Sequence, residues 1–212
     1  MLSIKNKFLF IHIPKTGGNS IQKSLVDYSE DEIVVKLPVQ DGINRFAISS
    51  KYDVKKHSTL LEYKNKIDAD LYSQIYKFSV IRNPWDRVVS LYFHSYRTWN
   101  KKKFTQTIKD AHKMRDFIRL EKPAQGLAGY FKQGIDSSPL DQDIDFLIHF
   151  ENIDEDFKTV CEKLNIPYRQ LSTLNQSKRS EYTNYYDNSS RKLVEKLYAD
   201  EIDFGKYTYA NK

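Results

Sequence analysis

Two short segments of this chain carry residue types that bind anionic oxygens. The first is His12-Ile-Pro-Lys-Thr-Gly-Gly-Asn-Ser20, in which a lysine, two glycines and three small polar side chains follow an apolar stretch. The second is Arg82-Asn-Pro-Trp-Asp-Arg-Val-Val-Ser90, which begins with an arginine at the end of another apolar stretch. Glycines let a backbone approach phosphate closely, and an arginine presents a planar fork of donors to it. Two such segments in one chain predict a ligand with two separate phosphate groups.

The first segment is predicted to join a buried strand to a helix. Residues 7–13 are almost continuously apolar, as in a strand buried on both faces of a parallel sheet, and a helix is predicted over about 19–28. Unpaired amides at a helix start carry partial positive charge and bind anions. Lys15 adds a full charge, and Thr16 and Ser20 add hydroxyl donors.

The order of residues in this segment argues against an ATP-hydrolysing protein. A Walker A loop has the order G-x-x-x-x-G-K-[ST], whereas here Lys15 precedes Gly17 and Gly18. No convincing Walker B strand is present either. The alternative to an anion site is an ordinary strand-to-helix turn that binds nothing.

The second segment is also predicted to join a buried strand, residues 77–82, to a helix. Asn83 is a favoured N-cap residue, so the helix should begin directly after it. Arg82 would then leave the end of the strand, with Ser90 further along the helix. The alternative is that Arg82 forms an ion pair with Asp86 and that Ser90 is a small packing residue.

The rest of the chain alternates apolar strands with amphipathic helices. Strands are also predicted at 33–39 and 43–49, joined by an Asp-Gly turn, and at 145–150, and helices at 58–66, 107–121, 154–165 and 190–199. Thr59 and Glu62 have the spacing of a capping box, which would place His57 just before a helix. This alternation predicts one α/β domain over residues 1–212, with a central, mostly parallel sheet flanked by helices.

Composition narrows the class of protein. The 212 residues are 40% hydrophobic and 29% charged, as in globular domains, and no apolar run approaches the ~20 residues that span a bilayer. The first residues lead straight into a strand and leave no room for a signal peptide, so we expect a cytoplasmic location and no membrane span. Cys161, the only cysteine, lies on an apolar helical stripe and is predicted to be a buried structural thiol.

Charge and ligand spacing bear on partners and metals. The formal net charge is +6, which favours anionic partners without separating a nucleotide from an acidic glycan or nucleic acid. No cysteine and histidine residues have the spacing of metal ligands, so no metal is expected.

The two segments resemble known motifs of sulfotransferases that use 3′-phosphoadenosine 5′-phosphosulfate (PAPS). Residues 12–20 look like their 5′-phosphosulfate loop, although Asn19 stands where Thr or Ser is common, and residues 82–90 look like their 3′-phosphate motif. Lys56-His-Ser-Thr-Leu60 resembles the segment that carries a catalytic histidine in the uronosyl 2-O-sulfotransferase branch. Weaker matches to the carbohydrate branch lie at 150–157, 174–177 and 203–209. The resemblance implies a P-loop-NTPase-like sulfotransferase fold.

The resemblance also implies roles for these residues. Lys15 would contact the bridging oxygen and the 5′-phosphate, and so stabilise the leaving group. Arg82 and Ser90 would hold the 3′-phosphate, which separates PAPS from ATP. The predicted donor-binding residues are Lys15, Thr16, Gly17, Gly18, Asn19, Ser20, Arg82, Ser90 and Lys178.

The acceptor hydroxyl must lose its proton during such a transfer. His57 is the predicted general base, because the pKa of histidine suits this work near neutral pH. Glu62, or an acidic residue near Asp41, is the alternative base. His12 lies inside the first strand and is predicted to be a core histidine with its hydrogen bonds satisfied.

The implied activity is transfer of a sulfuryl group to a carbohydrate hydroxyl. The basic runs Lys101–Lys103 and Lys55-Lys56 could recruit an acidic glycan. Two alternatives stay open: sulfation of a tyrosine, lipid or small metabolite, and a non-catalytic nucleotide- or RNA-binding protein whose many aromatic residues stack on bases. No RNA-binding motif is recognisable, so no nucleic-acid partner is expected. The oligomeric state stays open.

Overall fold

A computed structural model describes residues 1–30, 32–35, 46–49, 52–96, 98–110, 118, 143–172 and 179–210 of the chain. The strands are β1 Leu2–Ser3, β2 Phe8–Ile11, β3 Glu32–Val35, β4 Phe46–Ser49, β5 Tyr76–Ile81 and β6 Phe146–His149. The α-helices are α1 Gly18–Leu25, α2 Leu60–Lys66, α3 Ala69–Gln74, α4 Pro84–Ser95, α5 Lys101–Asp110, α6 Ile153–Lys163, α7 Asn188–Leu197 and α8 Ala199–Phe204. Short 3-10 turns lie at Val26–Tyr28, Phe150–Asn152 and Tyr182–Tyr185.

The main sheet has the strand order β1-β2-β5-β6. Strand β1 pairs antiparallel with β2, whereas β2 with β5 and β5 with β6 are parallel pairs. The predicted α/β class with a mostly parallel sheet is therefore confirmed. Because parallel strands point the same way, the turns that follow β2, β5 and β6 lie at one edge of the sheet.

Side chains of β2 pack on both faces of this sheet. Phe8 and Phe10 belong to a hydrophobic cluster that includes residues of α1 and α6, whereas Leu9 and Ile11 belong to a cluster that includes residues of α4. Burial on both faces explains why the strand is a continuous apolar run rather than an alternating one. Cys161 is also buried, as predicted, and burial raises the pKa of its thiol to about 11.

Two predicted helix starts are confirmed by their caps. Thr59 and Glu62 form a capping box in which each side chain accepts a hydrogen bond from the other residue's backbone N–H. The side chain of Asn83 accepts from the N–H of Trp85, and Pro84 is the first residue of α4. Both caps depend on neighbours within the same turn, which is why the sequence pattern predicts them.

The structure also differs from the prediction in places. Helix α5 begins at Lys101 rather than near residue 107, because the side chain of Asn100 accepts from the N–H of Lys103 and starts the helix earlier. Helix α3 was not predicted, although Asp68 caps its first amides. Helix α8 was not predicted either.

Some predictions fall partly outside the described residues. Strands β3 and β4 pair antiparallel, as predicted, and the residues between them, including the Asp-Gly turn, lie outside the described ranges. The predicted helix at 107–121 is described as far as residue 110. Among the α-helices of the described ranges, none is long and apolar enough to cross a membrane.

Candidate active site

The turn between β2 and α1 has an unusual backbone. Lys15 has a φ of 68° and Gly17 a φ of 88°, so two residues of this short turn are left-handed. The lysine does so at a steric cost that glycine avoids, and such strain clusters at ligand-binding turns. Gly17 is the N-cap of α1, and no side chain caps the helix. Its first amides are therefore available to an anion.

Both glycines of the turn are required by close packing. A Cβ at Gly17 would lie 2.9 Å from Cδ1 of Ile153 and 3.0 Å from Cδ2 of Phe150. A Cβ at Gly18 would lie 2.4 Å from Cδ2 of His12. Cβ atoms essentially never come this close to non-bonded neighbours, so a larger residue would require the turn or its neighbours to shift.

The polar side chains of the turn do not all point to a ligand. Thr16 is fully buried, and its hydroxyl donates to the carbonyl of Ile13 at 2.9 Å. Its hydroxyl proton is thus used inside the turn, unlike the phosphate donor that the sequence suggested. Ser20 is half-buried, and its own N–H donates to the carbonyl of Gly17 at 3.0 Å.

Asn19 brings an unexpected lysine to the turn. Its Oδ1 accepts a hydrogen bond of 2.6 Å from Nζ of Lys56. Lys56 is buried, with 7% of its surface exposed, so it is not part of the basic surface that the sequence suggested. The two residues are far apart in the chain, and no local pattern predicts this pairing. The ammonium group of Lys56 therefore lies beside the start of α1.

His57 is oriented by a backbone carbonyl. Its Nδ1 lies 2.8 Å from the carbonyl oxygen of His12, which can only accept, so Nδ1 carries a proton and Nε2 carries the lone pair. Within the described ranges this buried Nε2 has no hydrogen-bond partner. Burial, followed by the nearby charge of Lys56, lowers the pKa of His57. The ring is therefore neutral at neutral pH, as a general base must be.

His12 packs between the turn and His57. It is buried, its Nδ1 lies 2.9 Å from Oε1 of Gln22, and its ring meets the His57 ring edge-on at 4.7 Å between centroids. Burial first, and then the neighbouring His57 and Lys56, place the pKa of His12 well below its ordinary value. The predicted core histidine is confirmed, and it also connects the base candidate to the glycine turn.

The alternative bases are less well placed or lie outside the described residues. Glu62 is exposed, and its Oε2 accepts from the N–H of Thr59 at 2.7 Å in the capping box. Asp41 and its neighbours are outside the described ranges.

Arg82 lies where β5 ends, beside the first turn. Its Nη1 donates to the carbonyl of Lys15 at 3.1 Å, and its guanidinium carbon lies 3.7 Å from the ring centre of Phe150. Its Nε and Nη2 donate to one oxygen of Asp86 at 2.9 and 2.6 Å. Burial lowers the pKa of Arg82, and Asp86 opposes this shift. The ion pair considered as an alternative is thus present, on a side chain that also faces the glycine turn.

Two more residues, Arg179 and Ser90, belong to the candidate site around Arg82 and α4. Arg179, which the sequence did not single out, donates to the other oxygen of Asp86. Ser90 lies on α4 with 9% of its surface exposed. Lys178 lies outside the described residues. Among the described residues, no group of histidine, cysteine and acidic side chains could hold a metal ion.

Fold and site together define an α/β protein with a cation-rich glycine turn beside a buried arginine. A family model described as "Sulfotransferase family" matches residues 1–209, so the chain belongs to the sulfotransferase family. Among solved structures it is similar to mouse sulfotransferase SULT7A1 complexed with PAP, with a TM-score of 0.51 and 13% sequence identity. That alignment covers 97% of this chain and 88% of the mouse chain. No curated protein matches the sequence.

These comparisons confirm the predicted family and fold. At 13% identity the structural likeness concerns the fold alone. PAPS as the donor, the carbohydrate branch and the residue roles stay predictions.

Proposed function

We propose that this sulfotransferase moves a sulfuryl group from PAPS to a hydroxyl of a carbohydrate acceptor. His57 acts as the general base, and Lys15 stabilises the leaving group. The observation that carries this proposal is the state of His57. Its Nδ1 is held by the carbonyl of His12, and its Nε2 is unprotonated and unpartnered among the described residues. A hydroxyl that donates to Nε2 would supply the missing partner.

The transfer requires one bond to form as another breaks. The acceptor oxygen bonds to sulfur, the bond from sulfur to the 5′-phosphate oxygen breaks, and the hydroxyl proton passes to Nε2 of His57. Negative charge then grows on the departing phosphate. Such in-line transfers depend mainly on positioning and on fixed positive charge near the developing anion.

The glycine turn supplies that positive charge in two forms. The uncapped start of α1 offers backbone N–H groups, and its first turn contains no acidic residue that would oppose an anion. Lys15 lies in the same turn. Lys56, hydrogen-bonded to Asn19, adds to the positive potential. The 5′-phosphate therefore belongs here rather than at the start of α4.

The second phosphate belongs at Arg82 and Ser90. Arg82 follows β5, which is the parallel neighbour of β2, so its guanidinium lies beside the glycine turn. A planar fork suits a phosphate monoester. A 3′-phosphate on the ribose is the group that would separate PAPS from ATP.

The acceptor class depends on other arguments. The His57 segment resembles the uronosyl 2-O-sulfotransferase branch, and the net charge of +6 is compatible with an acidic glycan as with other anionic partners. Lys56 is buried and therefore does not contribute to a surface that would attract a glycan. Lys101 forms an ion pair of 2.6 Å with Asp187. A tyrosine, lipid or small-metabolite hydroxyl is the alternative acceptor.

Thermal unfolding with nucleotides tests the donor assignment. A ligand that binds only the folded state raises the melting temperature. We expect PAP, which has a 3′-phosphate, to raise it clearly and ADP and ATP to raise it much less. Equal shifts for PAP and ATP would contradict the assignment of Arg82 and Ser90.

An acceptor panel then tests the activity. The enzyme would be incubated with PAPS and glycans, tyrosine peptides, lipids or phenols, and sulfated products measured by mass spectrometry. Sulfation of glycans alone supports the proposal. Sulfation of another class shifts the acceptor, and PAP binding without turnover on any acceptor would favour a non-catalytic nucleotide-binding protein.

A further inference from the structure

A single carboxylate bridges two buried guanidinium groups at the sheet edge. One oxygen of Asp86 accepts from Nε and Nη2 of Arg82, and the other accepts from Nη2 of Arg179. The exposed fractions of the side chains are 15% for Asp86, 9% for Arg82 and 12% for Arg179. Asp86 lies in the first turn of α4 and Arg82 lies just before that helix, whereas Arg179 comes from a distant part of the chain. These three side chains are called the Asp86 bridge below.

Arg82 is held on other sides as well. Phe150 lies against the guanidinium at 3.7 Å from ring centre to carbon, and the Lys15 carbonyl accepts from Nη1. The guanidinium is thus fixed between α4, the residue after β6 and the glycine turn. An arginine in such surroundings loses little freedom when it binds an anion.

The bridge contains two positive charges and one negative charge. A carboxylate and a phosphate use the same donor fork of arginine, so Asp86 already occupies part of what a phosphate would use. The bridge keeps one net positive charge for an incoming anion. Glu151, whose Oε1 accepts from the N–H of Asn83 at 2.7 Å, is a further carboxylate close to Arg82.

We propose that Asp86 is a resident anion that keeps Arg82 and Arg179 in place in the free enzyme and shares them with the 3′-phosphate in the complex. Asp86 is then a positioning residue that limits how tightly the nucleotide is held. This inference rests on the proposed function, because it takes Arg82 as the contact of the 3′-phosphate.

Thermodynamic linkage predicts how the affinity for the phosphate changes when the Asp86 carboxylate is removed. Without the carboxylate, two buried guanidinium groups face each other with one counter-ion fewer, which destabilises the free enzyme. A bound phosphate replaces the missing charge, so the complex is destabilised less. The difference between these two effects is gained affinity for any ligand that carries the phosphate.

The test compares Asp86→Asn with the wild type in binding PAP and ADP, by calorimetry and melting temperature. We expect a lower melting temperature for the free variant and a larger shift with PAP. PAP should bind about tenfold more tightly, because the positive charges of Arg82 and Arg179 act on the phosphate at short range without the carboxylate between them. Affinity for ADP, which lacks the 3′-phosphate, should stay within about twofold. Unchanged or weaker PAP binding by the variant would overturn the inference.

Glu195→Gln is the matched control. Glu195 forms an i,i+4 pair with Arg191, as Asp86 does with Arg82, but on the half-exposed surface of α7. Removal of its charge should leave the affinities for PAP and for ADP unchanged. A gain of PAP affinity in this control as well would mean that net charge alone is responsible, which would overturn the role of Asp86.

A second pair of variants keeps the test decisive if Asp86→Asn does not fold. Arg179→Gln leaves Arg82 paired with Asp86 and should weaken PAP binding. The double variant Asp86→Asn/Arg179→Gln contains no opposed guanidinium pair and should bind PAP more tightly than Arg179→Gln. Equal or weaker binding by the double variant would overturn the inference.

The outcomes separate this inference from the proposed function. If wild-type enzyme prefers PAP to ADP and the Asp86 variants show no gain, the donor assignment stands and the resident-anion role is wrong. If wild-type enzyme does not prefer PAP, the 3′-phosphate assignment fails, and the inference fails with it.

Discussion

The two strand-to-helix turns at the sheet edge treat their helix starts in opposite ways. After β2, α1 begins at a left-handed glycine with no side-chain cap and no acidic residue in its first turn. After β5, α4 begins with a capping asparagine, a proline that has no N–H, and Asp86 in its first turn. One helix start is open to an anion, and the other has its amides and dipole satisfied by its own residues.

This difference shows that similar sequence contexts can bind anions by different means. The first turn offers backbone amides, which depend on the conformation of its glycines. The second turn offers the guanidinium of Arg82, whose charge and orientation depend on side-chain partners. Changes to the backbone should therefore matter most at the first turn, and changes of charge at the second.

The largest effect is expected for the base that the first turn supports. His57→Ala should lower kcat by about 10²–10⁴-fold, the usual contribution of a general base, with PAP affinity nearly unchanged. Steady-state kinetics and calorimetry measure the two quantities. His94→Ala, a half-buried histidine on α4, is the control and should keep its activity. Near wild-type turnover by His57→Ala would remove His57 as the base.

A smaller but selective loss is expected at the second turn. Arg82→Ala should weaken PAP binding by about 10–100-fold, because a charge-assisted hydrogen bond to phosphate contributes roughly 1.5–3 kcal/mol. ADP, which lacks the 3′-phosphate, should bind almost as before. The measurement is calorimetry below the melting temperature of the variant. Equal losses of affinity for PAP and ADP would mean that Arg82 does not bind the 3′-phosphate specifically.

The first turn should instead respond to a backbone change without selectivity. Gly18→Ala places a Cβ 2.4 Å from the His12 ring, and such overpacking costs about 1–3 kcal/mol. PAP and ADP affinity should fall together, because both carry a phosphate at the 5′ position. Selective loss of PAP binding would contradict the assignment of the 5′-phosphate to the first turn and the 3′-phosphate to the second.

Removal of the cap at the second turn should affect stability alone. Asn83→Ala loses the hydrogen bond to the N–H of Trp85, so the free energy of unfolding should fall by about 1 kcal/mol. PAP affinity should not change, since this turn binds through Arg82. Urea unfolding and calorimetry measure the two quantities. A large loss of PAP affinity would show that the capped amides also serve the ligand.

The smallest effect is a pH dependence of stability. Burial lowers the pKa of both His12 and His57 below the value of about 6.5 expected in the unfolded chain. Between these values the unfolded state binds more protons, so stability should fall as pH decreases from 7 toward 5. Urea unfolding at pH 7 and at pH 5 measures how the free energy of unfolding depends on pH, and His57→Ala should reduce this dependence. An equal dependence in that variant would mean that His57 does not contribute.

Predictions from the sequence succeeded where the cause is local. The capping box of Thr59 and Glu62, the cap at Asn83 and the buried strands all depend on neighbours a few residues away. Helix α5 begins earlier than the apolar pattern indicates, because Asn100 caps its first turn. The run Lys55-Lys56 predicts a solvated surface, whereas Lys56 is buried because its partner, Asn19, lies far away in the sequence.

The family, the alternation of strands and helices, and the two segments that carry cations are all evident from the sequence, because they depend on residue type and short-range spacing. Which side chains meet depends on the tertiary fold. The His12 carbonyl orients His57, and Asp86 joins Arg82 to Arg179. Those contacts arise because parallel strands bring the ends of distant segments to one sheet edge, where burial and charge select the pairs.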